Sequence, residues 1–235
     1  MGIKICLDAG HFGLYNQSPA VKTYYESNMA WKLHLLLKKE LESYGVEVIT
    51  TRSNQAKDLD VVTRGQLGKG CDLLISIHSN AVGSSVNESV DYPIVYAPVN
   101  GKGTKLAEQL AKCIESTMGT AQKGKAGTRK LDNGKDYYGV IRGATSVGVV
   151  GLIIEHSFHT QTKATKWLSN DSNLEKLAAA EAKVIADYYG LKKSTSKKIY
   201  RIQVGAYSVK SNADAALKKI KAAGFTDAYI TESNQ

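Results

Sequence analysis

Cysteine is scarce in this chain and poorly spaced for a disulfide framework. Cys6, Cys71 and Cys113 are odd in number, far apart and without a C-x-x-C spacing. They read as structural thiols of a chain made in a reducing compartment, not as a disulfide set or a zinc knuckle. Long apolar runs are also missing. The longest, Val147 to Ile154, is interrupted by Gly148 and Gly151 and falls far short of the ~18 residues of a membrane helix. No membrane span is expected. The opening residues MGIKICLDAGH lack a basic stretch followed by an apolar one, so no secretory signal is expected either.

What is present is an ordinary globular composition. Hydrophobic residues make up 43% and charged residues 23% of the 235, which excludes a mostly disordered chain. The length suits one domain of roughly 150–200 residues plus a small appendage. The net charge of +9 is unevenly spread, with +6 on residues 192–235 and +3 on residues 1–191. A basic tail points to a polyanionic partner such as nucleic acid, an anionic lipid surface or a bacterial cell wall. Nucleic acid is the weakest of these, because the tail has Tyr200 and Tyr207 but no recognised motif and no basic aromatic platform.

Apolar periodicity divides the first 191 residues into alternating strands and helices. Ile3 to Asp8, Val46 to Thr50, Asp72 to His78, Tyr92 to Ala97 and Val147 to Glu155 read as strands, several of them continuous apolar runs. Helices are expected from Ser27 to Tyr44, Asp60 to Gly68, Thr104 to Thr117 and Leu174 to Tyr189. Apolar residues of Ser27 to Tyr44 and Thr104 to Thr117 recur at helical spacing, and Gly45 is well placed to end the first of these. Lys123 to Asp136 is basic, glycine-rich and read as loop. The expected fold class is α/β, a mostly parallel open sheet flanked by helices, with a partial C-terminal βαβ unit. That unit follows a polar linker at 192–198. It comprises a strand at Tyr200 to Tyr207, a helix at Asn212 to Ala223 and a strand at Ala228 to Thr231. The expected domains are therefore 1–191 and 199–235.

In an open parallel sheet, ligands bind beyond the carboxyl ends of the strands. His11 follows the first strand, His78 ends the third, Glu155 ends the most apolar one, and Glu26 opens the first long helix. Two imidazoles and one carboxylate, leaving a position for water, form a catalytic zinc shell. A further carboxylate that does not bind the metal serves as the base of amide hydrolysis. The spacing offers His11, Glu26 and His78 as ligands of Zn2+ and Glu155 as base. Taken singly, His11 also suits a turn, and Glu26 suits the first turn of any helix. Asp8 is placed to back a ligand imidazole or to be a ligand itself. His34 reads as a surface or packing residue. His156 and His159 are open to orienting the base, binding substrate or filling the edge.

The strings ICLDAGHFG, Glu26 at a helix start, DLLISIHSNA and GVIRGATSVGVVGLIIEHSFHT together resemble the zinc-dependent N-acetylmuramoyl-L-alanine amidases of type 3, over roughly residues 2–190. The resemblance implies hydrolysis of the amide joining muramic acid to the first L-alanine of peptidoglycan, with zinc on His11, Glu26 and His78 and Glu155 as acid/base. Arg64 stands where the family often has a structural arginine. Within this family, glutamate is commonly followed by a small residue, glycine and phenylalanine. Here the string is Glu155-His156-Ser157-Phe158, which resembles lytic enzymes of clostridial phages and their hosts. The tail string YRIQVGAYSVKSNADAALKKIKAAGF resembles the first half of a sporulation-related repeat (SPOR), a peptidoglycan-binding module. The expected partner is peptidoglycan, reached by an enzyme made in the cytoplasm and acting on the wall after release. Two alternatives stand beside this reading: a zinc peptidase of the stem peptide, and a non-enzymatic wall-binding protein.

Overall fold

A computed structural model of the protein describes residues 2–193 and 202–232. The chain forms two compact units, Met1–Ser194 and Thr195–Gln235. In chain order the first holds β1 (Lys4–Ala9), α1 (Glu26–Ser43), β2 (Glu47–Thr50), α2 (Val61–Gln66), β3 (Leu73–Asn80), β4 (Ile94–Tyr96) and α3 (Thr104–Met118). It continues with β5 (Lys125–Gly127), α4 (Gly139–Ser146), β6 (Val150–Phe158), α5 (Thr162–Leu168) and α6 (Asp171–Tyr188). The strands form one six-stranded open sheet in the order β2-β1-β3-β6-β4-β5. β2, β1, β3 and β6 are parallel, β4 is antiparallel to β6, and β5 is parallel to β4. The α/β class read from the sequence is the one observed.

Alternation along the central strands sends their side chains to two different environments. Leu7, Ala9, Ile75, Ile77, Leu152 and Ile154 share the large core with residues of α1, α3 and α6. On the opposite face Cys6, Leu74 and Ile153 pack with Val140, Ile141 and Ala144 of α4. The same alternation carries that second face onward to Asp8, Ser76, His78 and Glu155, where apolar residues give way to polar ones. α2 and α4 cross backbone to backbone. A Cβ on Gly65 would meet the Val140 carbonyl oxygen at 2.1 Å, and one on Gly143 the Val62 carbonyl oxygen at 2.1 Å.

Several elements depart from the periodicity reading. β6 begins later and runs further than expected, because Val147 and Gly148 end a turn with Gly148 at φ 80°. β5 lies inside the stretch read as loop, and α4 and α5 were not anticipated. All three are too short to display a period. In the second unit α7 (Lys210–Ala222) matches the expected helix closely. The flanking strands are not formed: residues 202–207 and 228–231 are without strand structure, and 200–201 lie outside the described residues. A two-stranded unit with no further sheet to join has too little to pack against, and Ile202, Val204, Tyr207 and Tyr229 are exposed. Most of the expected linker, 194–198, also lies outside the described residues. Among the described residues no helix is long and apolar enough to cross a membrane.

Candidate metal centre

β1 leads into β2 on one side while β3 pairs on its other side, which makes the carboxyl ends of β1 and β3 the switch point where such sheets bind ligands. His11 leaves β1 in a left-handed conformation, φ 57°, uncommon for a residue with a side chain. Arg64 of α2 holds this turn: it donates from Nη1 to the Ala9 carbonyl oxygen at 2.9 Å and from Nη2 to that of His11 at 3.1 Å. Gly10 is needed beside it, since a Cβ there would stand 2.4 Å from Cε1 of His78.

The loop from His11 to Tyr25 folds back through a Gln17–Tyr25 bridge. Its return delivers Glu26, buried at the first turn of α1. The Glu26 amide donates to the Asn16 carbonyl oxygen at 3.0 Å. Its Oε1 lies 2.8 Å from Nδ1 of His78 and accepts from the Ser79 amide at 3.1 Å. Its Oε2 accepts from Nδ2 of Asn16 at 2.7 Å and lies 3.2 Å from Nε2 of His11. Burial alone would raise the pKa of this carboxyl. The hydrogen bonds and charges of His11 and His78 overcome that and hold it well below the usual carboxylate range.

His78 is braced from behind. Ser76 Oγ donates to Oδ2 of Asp8 at 2.7 Å and lies 3.1 Å from Nε2 of His78. With the serine proton committed to Asp8, Nε2–H of His78 donates to Oγ and Nδ1 is left as the nitrogen that faces Glu26. Asp8 is itself held by Oγ1 of Thr51 at 2.6 Å and by Arg64 at 3.4 Å. Of the two roles open to Asp8, the geometry supports backing the imidazole.

One ligand atom from each of His11, Glu26 and His78 lies within 4.8 Å of the others. Ligands bound tetrahedrally at about 2.0–2.2 Å stand a little over 3 Å apart, and two imidazole nitrogens with one carboxylate oxygen are a donor set that suits zinc. Glu155 is the direct register partner of His78. Its Oε2 is shielded from solvent and has no hydrogen-bond partner. Burial, and then the Glu26 charge, push its pKa up to about 8.

The remaining candidates separate. His159 Nδ1 lies 3.0 Å from Oγ of Ser79, which contacts the Tyr24 hydroxyl at 2.7 Å, and 3.9 Å from Oε2 of Glu26. It borders the cluster. His156 turns to the opposite face, buried against Glu181. His34 is buried in α1, a packing residue. Cys6, Cys71 and Cys113 are free, and burial raises all three thiols, Cys6 to about 12, so none is a poised nucleophile.

A model of the N-acetylmuramoyl-L-alanine amidase family matches residues 5–187 and so spans this whole cluster. The chain belongs to that family. The amidase hydrolyses the bond between N-acetylmuramic acid and L-alanine in peptidoglycan. The sporulation-specific N-acetylmuramoyl-L-alanine amidase of Bacillus subtilis (strain 168) is 28% identical to it over 226 residues, 95% of this chain and 82% of the relative. Among solved structures, Cwp6 from Clostridium difficile is 26% identical with a TM-score of 0.70. The match covers 80% of this chain but spans only 29% of Cwp6. The catalytic domain of CwlV, an amidase from Bacillus (Paenibacillus) polymyxa, shares the fold. Its TM-score is 0.66 at 21% identity, over 81% of this chain and 99% of that one. A SPOR-domain model matches residues 168–232. The resemblances to the amidase family and to a SPOR domain are borne out at the level of the family.

Sequence reasoning missed Asn16, Ser76, Ser79, Tyr24 and Glu181 of the amidase. Ser76 was within reach: it stands two residues before His78 on a strand and therefore on the same face. The others touch the site or its surroundings through loops and packing that leave no periodic trace.

Proposed function

We propose that this amidase is zinc-dependent, with His11, Glu26 and His78 holding the ion and Glu155 carrying the proton. The observation that supports this most is the convergence of two imidazole nitrogens and one buried carboxylate beside a carboxyl oxygen without a partner. A bound zinc ion lowers the pKa of water and polarises an amide carbonyl.

The chain's own groups account for the rest of the reaction. The Glu155 carboxylate accepts a proton from the attacking water as the water oxygen bonds to the lactyl carbonyl carbon. It then returns that proton to the alanine nitrogen as the carbon–nitrogen bond breaks. The products are a free lactyl carboxylate and a free alanine amine. A carboxyl whose pKa is raised by its surroundings suits both halves of this transfer. The Asp8–Ser76 pair keeps His78 in one tautomer, and Arg64 keeps the His11 turn in place. In this reading residues 1–191 are the catalytic domain and 192–198 a linker. Residues 199–235 attach the enzyme to the wall, supported by their positive charge and by the SPOR match.

Glu155→Gln tests the assignment. The variant is expected to retain one zinc per chain by metal analysis and to lose at least about a hundredfold in turnover, within the range for a proton-transfer group. Mass spectrometry of wall digests should show new alanine amino termini with the wild type and none with the variant. Wild-type turnover by Glu155→Gln rejects Glu155 as base, and cleavage within the stem peptide rejects the amidase bond.

A further inference from the structure

Directly beyond Glu155, the strand that carries it is interrupted. β3 and β6 keep register to His78 and Glu155 and next match at Asn80 and Phe158. β6 thus takes three steps where β3 takes two, a bulge whose extra residue falls at His156–Ser157. Ser157 adopts φ 113°, costly for a residue other than glycine. Its Oγ donates to Oδ1 of Asp91 at 2.8 Å. His156 turns away from Glu155 into the apolar core. There it and Glu181 of α6 are both 0% exposed, with Nε2 2.7 Å from Oε1. The other ring nitrogen, Nδ1, donates to the carbonyl oxygen of His78 at 2.8 Å. A continuous hydrogen-bonded link therefore runs from the middle of a core helix to the backbone of a candidate metal ligand.

Stability does not account for this link. Desolvating an ion pair costs about as much as the pair returns, and well-packed apolar residues of similar volume are often neutral or better. Glu181 Oε2 even lacks a partner. The pair lies beside the one point where β3 and β6 lose their regular register.

We infer that His156 and Glu181 are positioning residues for catalysis: through the His78 carbonyl and the bulge they set where Glu155 stands relative to His11, Glu26 and His78. The inference rests on the reading of Glu155 as the proton carrier. Neither residue touches substrate.

The test uses the full chain in three variants: Glu181→Gln, the double variant His156→Leu/Glu181→Leu, and Glu155→Gln as reference. Zinc content, thermal midpoint, kcat and KM on solubilised muropeptides are measured for each. The double variant should keep one zinc per chain and melt within a few degrees of wild type. Its kcat should fall about tenfold, as for other groups that orient a metal site from outside, with KM unchanged. Glu181→Gln, whose amide still bonds to His156, should retain kcat within about twofold of wild type. The inference is overturned by a double variant with wild-type kcat, by one that melts far below wild type or loses zinc, or by a Glu181→Gln variant as slow as the double. Wild-type turnover in Glu155→Gln would instead remove the reading beneath it. An inactive Glu155→Gln beside a fully active double variant removes the inference alone.

Discussion

His34 makes the amidase domain sensitive to acid. Its ring packs against Trp31 at a tilt of 56° with centroids 4.4 Å apart, and its Nδ1 donates to the Trp31 carbonyl oxygen. Burial lowers its pKa from 6.5 to about 4. The folded state therefore holds it neutral where the unfolded chain takes up a proton. Its stabilising contribution is complete above pH 6.5 and declines as pH falls toward about 4, by at most about 3 kcal/mol. Urea unfolding across that window should show wild type losing stability more steeply than His34→Gln; parallel losses would contradict the assignment. The chain also shows at this scale why some site residues are legible and others are not. His11, His78 and Glu155 end apolar runs, and Glu26 opens a helix, so element boundaries mark them. Asn16 and Glu181 carry no such mark, because one lies in an irregular loop and the other within a helix whose polar positions ordinarily face water.

Helices α2 and α4 connect packing to the site. Their backbones meet at Gly65 and Gly143, and α2 carries Arg64, which grips the His11 turn. Gly143→Ala would bring a Cβ to 2.1 Å from the Val62 carbonyl oxygen, and backbone cannot rotate away as a side-chain tip can. The substitution should cost about 1–3 kcal/mol in a denaturant titration. It should also lower turnover at temperatures where the protein stays folded, since Arg64 moves with α2. Unchanged stability would show that the helices separate without strain. The long elements β1, β3, α1, α3 and α6 were legible because burial imposes a period on them. α4 and α5 span about two turns each and β5 three residues, too few to repeat a pattern. The tail strands show the opposite failure: alternation is present, but a strand forms only where another strand accepts its hydrogen bonds.

For the whole molecule, most of the net positive charge lies beyond α6, the last element of the unit that holds the candidate site. Both apolar cores lie within the first unit, while residues 192–235 carry +6. Removing residues 195–235 should leave turnover of soluble muropeptides unchanged and reduce co-sedimentation with intact walls. The wall binding of the full chain should weaken as salt screens the tail. Loss of turnover in the shortened chain would show that catalysis needs the tail. Read as a string, the chain already specifies a covered parallel sheet, since uninterrupted apolar strands have no other stable place. It also specifies which acids and imidazoles stand at the strand ends. Which of them meet is set by packing. His11 and His78 become neighbours because β1 pairs with β3, Glu155 joins them because β6 lies on the other side of β3, and His156 meets Glu181 because α6 covers the face opposite Glu155. Pairing between distant segments is a property of the assembled sheet, and no local pattern encodes it.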